Sequence, residues 1–185
     1  DEDDADLFVG REAVTAQLME RILGMAANQD PGKGRCLVVV GASGSGKSSL
    51  VRAGLVPTLR WTEISAHWLI QVLTPTAKPL ESLATALTME SNSVIATSTL
   101  VDDLSRDVRS LHHFTRRLVG PQPDTRMVLV VDQFEEVFAL CHSEEERSKF
   151  IGNLLTAATE TGGPVILVIA LRADFYVHCA QYGRL

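Results

Sequence analysis

The sequence predicts an α/β fold, a three-layer sandwich in which helices cover both faces of a mostly parallel sheet. Three observations predict it. Four short apolar runs, at 36–40, 68–73, 127–131 and 165–171, alternate with segments of helical periodicity. Strands that alternate with helices pair in parallel and take helices on both sides. A glycine-rich stretch follows the first run directly, and Asp132 and Arg172 stand just beyond the last two. Right-handed crossovers place the C-terminal ends of all such strands along one edge of the sheet, where ligands bind.

Taken in order, Val14, Leu18 and Ile22 recur at helical spacing with Arg11, Gln17 and Arg21 between them. That pattern predicts a helix ending near Asn28, before the turn residues Asp30-Pro31-Gly32-Lys33-Gly34. The run 36–40 reads as a strand buried on both faces. A helix starts at Lys47 and is expected to end by Pro57. The run 68–73 is a strand broken by Thr74-Pro75, and 79–88 is a modest helix. Residues 90–98 are polar and define no element.

A single helix is expected over 99–119, with Leu100, Leu104, Val108, Leu111 and Leu118 on its buried side and Asp102, Arg106 and Arg109 towards solvent. It carries His112-His113. Adjacent helical residues point about 100° apart, so the pair suits a solvated face better than one metal ion. The run 127–131 is the third strand. Ser143-Glu144-Glu145-Glu146 starts a helix, with a capping Ser, a Glu three residues on and acid in the first turn. Ile151, Leu154, Leu155 and Ala158 form its buried face, and Thr161-Gly162-Gly163-Pro164 turns the chain into the fourth strand.

At 185 residues the chain has room for one domain, and 45% apolar content is enough for a core. A net charge of −6 argues against direct binding to nucleic acid, which needs a basic face. Cys36, Cys141 and Cys179 are odd in number and lack C-x-x-C spacing, so reduced core thiols are expected rather than disulfides or a zinc site. No apolar stretch reaches membrane-spanning length and the first residues are acidic, which predicts a cytoplasmic segment without membrane contact. The chain begins without Met and stops soon after Arg172. The expectation is one domain over 1–185, cut from a longer multidomain protein.

Gly41-Ala42-Ser43-Gly44-Ser45-Gly46-Lys47-Ser48 reads G-x-x-x-x-G-K-S, with Ser49 and Leu50 continuing into a helix. A glycine-serine linker would share this composition, but not its place between a strand and a helix. In that place the pattern is a phosphate-cradling loop. Gly41, Gly44 and Gly46 allow backbone angles that a side chain would forbid, so the loop turns its N–H groups inward as an anion nest. The helix behind aims its positive N-terminus at the same phosphates. Lys47 would reach the terminal phosphates and Ser48 would ligate Mg²⁺. The fold this implies is a P-loop NTPase sandwich, truncated here after the fourth core strand.

Asp132, at the end of the third strand, suits the Mg²⁺ on Ser48, either directly or in its outer shell. Glu135 or Glu136 would orient or deprotonate an attacking water; both also fit the acidic first turn of a helix. Arg172 would either reach a γ-phosphate or pair with Asp174.

Four ordered motifs carry a family resemblance: Phe8-Val9-Gly10-Arg11-Glu12, Gly41 to Leu50, Asp132-Gln133-Phe134-Glu135-Glu136-Val137-Phe138, and Leu171-Arg172-Ala173-Asp174-Phe175-Tyr176. Together they resemble the STAND class of signal-transduction NTPases, most of all its bacterial "novel STAND" branch, often fused to WD-type repeats. The resemblance implies that Val9, Gly10 and Arg11 line an adenine pocket and that Gly41 to Ser49 hold phosphates. As in NACHT ATPases, it puts Asp132 on Mg²⁺ with an acidic pair behind it. AAA+ proteins carry Glu directly after that Asp; here the residue is Gln133, so the choice between Glu135 and Glu136 stays open. Arg172 matches the sensor arginine, and the strand 165–171 should lie between 36–40 and 127–131.

The same resemblance implies ATP or ADP as ligand, the guanine-reading Asn-Lys-x-Asp being absent. It implies as partners the lid, winged helix, repeats and effector of a longer chain, with ATP-dependent self-association. The expected function is an ATP-binding, slowly hydrolysing switch domain in signal transduction or defence. The alternatives are a scaffold that holds nucleotide without turnover, and a small-molecule kinase, for which no acceptor motif stands out.

Overall fold

A computed structural model of the chain describes residues 12–27, 34–63, 67–89, 93–122 and 124–182. Val9, Gly10 and Arg11, and the turn residues 30–33, lie outside the described residues. Four strands, β1 (Cys36–Gly41), β2 (Leu69–Leu73), β3 (Met127–Val131) and β4 (Val165–Arg172), form one sheet in the order β1-β4-β3-β2. All three pairings are parallel. β4 therefore lies between β1 and β3, as the resemblance implied.

The period of two along each strand divides the core. Met127, Leu129 and Val131 of β3 and Val165, Leu167, Ile169 and Leu171 of β4 belong to one buried cluster. That cluster also takes in residues of α4 (Pro79–Thr88), α5 (Val94–Arg106), α6 (Ser110–Val119) and α8 (Glu144–Thr159). Val128, Val130, Ile166, Val168 and Ala170 point the other way. They meet α1 (Glu12–Ala27) and a helix that runs through α2 (Lys47–Ser49), a π-helical stretch (Leu50–Leu55) and α3 (Val56–Trp61). Burial on both faces is why β3 and β4 read as unbroken apolar runs. Among the described residues β1 is an edge strand, and Val40 is 44% exposed. The expectation that 36–40 is buried on both faces therefore fails: only Leu37 is buried, Cys36, Val38 and Val39 are half-buried and Val40 is exposed.

Other departures have local causes. The helix after the glycine loop does not end by Pro57; it continues to Trp61. The Val56 N–H bonds to the Val51 carbonyl, five residues back. This widened turn takes a proline that has no N–H and crowds the turn before it. The expected helix over 99–119 is two helices. Asp107 is extended (φ −134°, ψ 125°). Its carboxylate accepts the Arg109 N–H at 2.9 Å and its carbonyl accepts the Ser110 N–H at 3.0 Å. A short acidic side chain thus offers the backbone an alternative to the helix.

Asn153 of α8, fully buried, fixes that break. Its Oδ1 accepts the Leu111 N–H at 3.1 Å, and its Nδ2 donates to the Leu104 and Lys149 carbonyls, both at 2.9 Å. The change of direction leaves Leu118 44% exposed and buries His112, against the solvated face expected for it. Burial is the leading cause of a lowered His112 pKa. No cluster of metal-ligating side chains occurs among the described residues.

α5 begins within the stretch assigned to no element, where Ser93 Oγ accepts the Ala96 N–H at 3.2 Å. Ser143 caps α8 as expected, accepting the Glu146 N–H at 3.2 Å. On α1 Leu18 and Ile22 are buried, but Val14 is 43% exposed and Thr15 and Met19 take its place. All three cysteines are free thiols, and burial raises the Cys36 pKa to about 11.

Candidate functional site

Parallel pairing brings the C-terminal ends of the strands to one rim. Gly41 is the register partner of Arg172 across β1 and β4. Beyond β3, the Asp132 N–H donates to the Leu73 carbonyl at 2.9 Å and the Phe134 N–H to the Ala170 carbonyl at 3.0 Å. Three segments far apart in sequence so enclose a cavity of about 340 Å³. The loop contributes Ser43, Gly44, Gly46, Lys47, Ser48 and Ser49; Asp132, Gln133, Glu135 and Arg172 face it.

The glycines act by different means. Gly44 and Gly46 have φ of 70° and 80°, a region that side chains disfavour. Gly41 does not share that conformation, contrary to expectation. Its constraint is steric, because a Cβ there would stand 2.7 Å from Ser45 Oγ. The Ser45 N–H donates to the Ala42 carbonyl at 3.2 Å and tightens the turn. Lys47 arches back over the loop, its Nζ donating to the Gly41 carbonyl at 2.9 Å and the Ala42 carbonyl at 2.8 Å. Gly41, Ala42 and Ser45 thus shape the loop and seat Lys47, while the cavity wall is made by their neighbours.

Asp132 is the centre of the opposite wall and is 2% exposed. Its Oδ1 accepts the Ser48 hydroxyl at 2.9 Å and the Gln133 N–H at 2.9 Å. Its Oδ2 accepts Arg52 Nε at 2.7 Å. Arg52 Nη2 also donates to Thr74 Oγ1, just beyond β2, at 2.7 Å. Sequence reasoning missed Arg52 and Thr74. The signal was spacing: Arg52 lies four residues after Ser48, so both point the same way from the helix. Gln133 has φ of 52°, unusual for a residue with a long side chain.

Glu135 lines the cavity, and its Oε2 accepts the Arg172 N–H at 3.2 Å. Glu136 opens the short helix α7 (Glu136–Ala139). Its pKa is raised, first by burial and then by Glu135 and Asp132. The two glutamates form the acidic start of that helix, and of the pair only Glu135 lines the cavity. Arg172 lines the cavity while pairing with Asp174, its Nε 3.2 Å from Oδ1 and its Nη2 2.7 Å from Oδ2. The hydrogen bond from Arg172 is the main reason the Asp174 carboxyl lies below its usual range. The guanidinium also sits over Phe175, 5.5 Å from the ring centre. Phe175 stacks on Phe138 of α7 at 6.5 Å, so the acidic turn and the arginine segment share one aromatic cluster.

The sequence matches the family described as Novel STAND NTPase 1 over residues 1–185. The chain belongs to this family. It is accordingly a nucleotide-binding STAND domain. The fusion to WD-type repeats that the resemblance suggested is not part of this match.

No protein of curated function matches the sequence. Among solved structures, the cytoplasmic domain of the Thermomonospora curvata type VII secretion ATPase EccC is similar at 21% identity, with a TM-score of 0.38. The match covers 80% of this STAND domain and only 18% of that chain. Among the described residues no helix is long and apolar enough to cross a membrane.

Proposed function

We propose that residues 1–185 form the nucleotide-binding domain of a STAND switch, one that binds ATP with Mg²⁺ and hydrolyses it slowly in a signalling or defence protein. The observation that carries this reading is the 2.9 Å bond between Ser48 Oγ and Asp132 Oδ1, beside the glycine nest. A hydroxyl and a carboxylate oxygen at that separation are a hard-oxygen pair suited to Mg²⁺. Ser48 and Asp132 would hold the ion, which, when bound, neutralises charge on the phosphates.

The chain's own groups supply the rest. Gly44, Gly46 and the start of α2 direct backbone N–H groups at the phosphates. Lys47 Nζ can exchange its carbonyl partners for phosphate oxygens at the same loop. Glu135, which lines the cavity, or Glu136, which follows it at the start of α7, would take a water proton. Glu135 braces the backbone of Arg172. Val9, Gly10 and Arg11 are proposed for the adenine on the resemblance. The lid, winged helix, repeats and effector, and self-association with ATP, are proposed on the same ground.

The pairing of Arg172 with Asp174 supports a second reading, in which nucleotide is held without turnover because the arginine is engaged elsewhere. Both readings need binding. Lys47→Ala removes a charge-assisted contact worth about 1.5–3 kcal/mol and should weaken binding of a fluorescent ATP analogue at least about tenfold. Unchanged affinity with an intact fold would sink the proposal. A phosphate-release assay on the unaltered protein separates turnover from storage.

A further inference from the structure

We infer that Arg52 is a built-in counter-cation for Asp132, a positioning residue that keeps the site from filling with a divalent ion until nucleotide phosphates arrive. The inference rests on the nucleotide reading above and adds a control on the order of loading.

Asp132 is 2% exposed, and a buried carboxylate needs compensation. Its two oxygens are used differently. Oδ1 is turned to Ser48, where a cation would sit; Oδ2 is held by Arg52 at 2.7 Å. The guanidinium fork does two jobs, because its second nitrogen reaches Thr74 at 2.7 Å. Arg52 therefore ties the ends of β2 and β3 to the helix that follows the glycine loop. It also sets which carboxylate oxygen faces the site.

The electrostatic consequence follows from charge. Arg52 cancels the formal charge of Asp132, and a fixed positive group beside the carboxylate opposes a divalent ion. Of the acidic groups, Glu135 also lines the cavity, and its carboxylate is not paired with Arg52. Nucleotide phosphates add several negative charges at the same point. The ion would enter with them and not before.

A lysine could keep the charge but not the fork that spans Asp132 and Thr74. Two variants therefore separate the roles. Arg52→Met removes charge and fork; Arg52→Lys removes the fork alone.

The probe is Mn²⁺ without nucleotide, followed by electron paramagnetic resonance, together with thermal unfolding with and without Mg²⁺. The unaltered protein should bind free Mn²⁺ weakly, and its melting temperature should not respond to Mg²⁺ alone. Arg52→Met should melt lower, bind Mn²⁺ at least about tenfold more tightly, and recover melting temperature when Mg²⁺ is added. Arg52→Lys should keep weak Mn²⁺ binding. If Arg52→Met melts lower but neither binds Mn²⁺ more tightly nor responds to Mg²⁺, Arg52 is only a structural tie and the inference is overturned. Tight Mn²⁺ binding by the unaltered protein overturns it as well. The underlying reading is tested separately, by the ATP analogue on the unaltered protein. No binding there removes the nucleotide reading and this inference together, whereas binding with an unresponsive Arg52→Met removes the inference alone.

Discussion

Replacing Asp132 with Asn tests the centre of the site. The change is nearly isosteric and alters one thing, the charge that three donors share. An amide oxygen can still accept the Ser48 hydroxyl and the Gln133 N–H now on Oδ1. The amide nitrogen then faces Arg52 Nε, which loses its acceptor. A hydrogen bond to a charged group contributes about 1.5–3 kcal/mol. Breaking a fully buried ion pair costs about 3–5 kcal/mol. Arg52 is 31% exposed, so water takes up part of the lost interaction and the lower range applies. The expected loss is about 2 kcal/mol, or a fall in melting temperature of about 4–8 °C for a chain of this size. Thermal unfolding by circular dichroism measures it. The same variant should bind the ATP analogue with little response to Mg²⁺, because the carboxylate that serves the ion is gone. A melting temperature within about 1 °C of the unaltered protein would refute the stability argument. Retained Mg²⁺ dependence would refute the metal assignment.

Two further outcomes follow from the same geometry. Glu136 has a raised pKa in the folded state, so between the ordinary glutamate range and that raised value the folded protein holds more proton than the unfolded chain. Stability therefore falls as pH rises through that window, and the loss is complete above it. Glu136→Gln should be more stable than the parent at neutral pH and lose less on going up from acid, as denaturant titrations at several pH values would show. If it also stops phosphate release while ATP stays bound, stability and turnover are in opposition at this residue. Asn153→Ala should destabilise by about 2–4 kcal/mol, since it leaves the Leu111 N–H and the Leu104 carbonyl without their partner in the core. Denaturant unfolding reads this loss, with nucleotide binding expected to change little at low denaturant.

Much of this was legible because physical patterns in the chain are local. Apolar runs of strand length separated by helical periods give the sheet, and a glycine loop followed by Lys and Ser gives one wall of the cavity. The opposite wall was legible where an apolar strand ends in Asp132. What the sequence hid depends on tertiary partners. The break at Asp107 rests on Asn153, 46 positions away by residue number, and no periodicity in 99–119 contains that information. Pro57 signalled a helix end because the rule assumes regular i to i−4 bonding, and the π-helical stretch departs from it. Arg52 was overlooked for a different reason. Nothing within its own helix marks its partners, because Thr74 and Asp132 come from beyond β2 and β3.

The strand order explains why the rim works as a unit. Because β4 separates β1 from β3, the segment bearing Arg172 touches both walls. Gly41 is its register partner on one side. On the other side, Glu135 accepts its backbone N–H, and the Phe134 N–H reaches the β4 carbonyl at Ala170. A displacement of β4 would move the arginine and the acidic turn together. The guanidinium has a separate freedom. It is held by Asp174 and Phe175, both exposed or half-buried and both on its own segment, so its side chain can change partners while its backbone stays fixed. An exposed ion pair contributes little to stability. If Arg172 serves a γ-phosphate as proposed, leaving Asp174 would cost little, and the contact with Glu135 already holds its backbone beside the cavity.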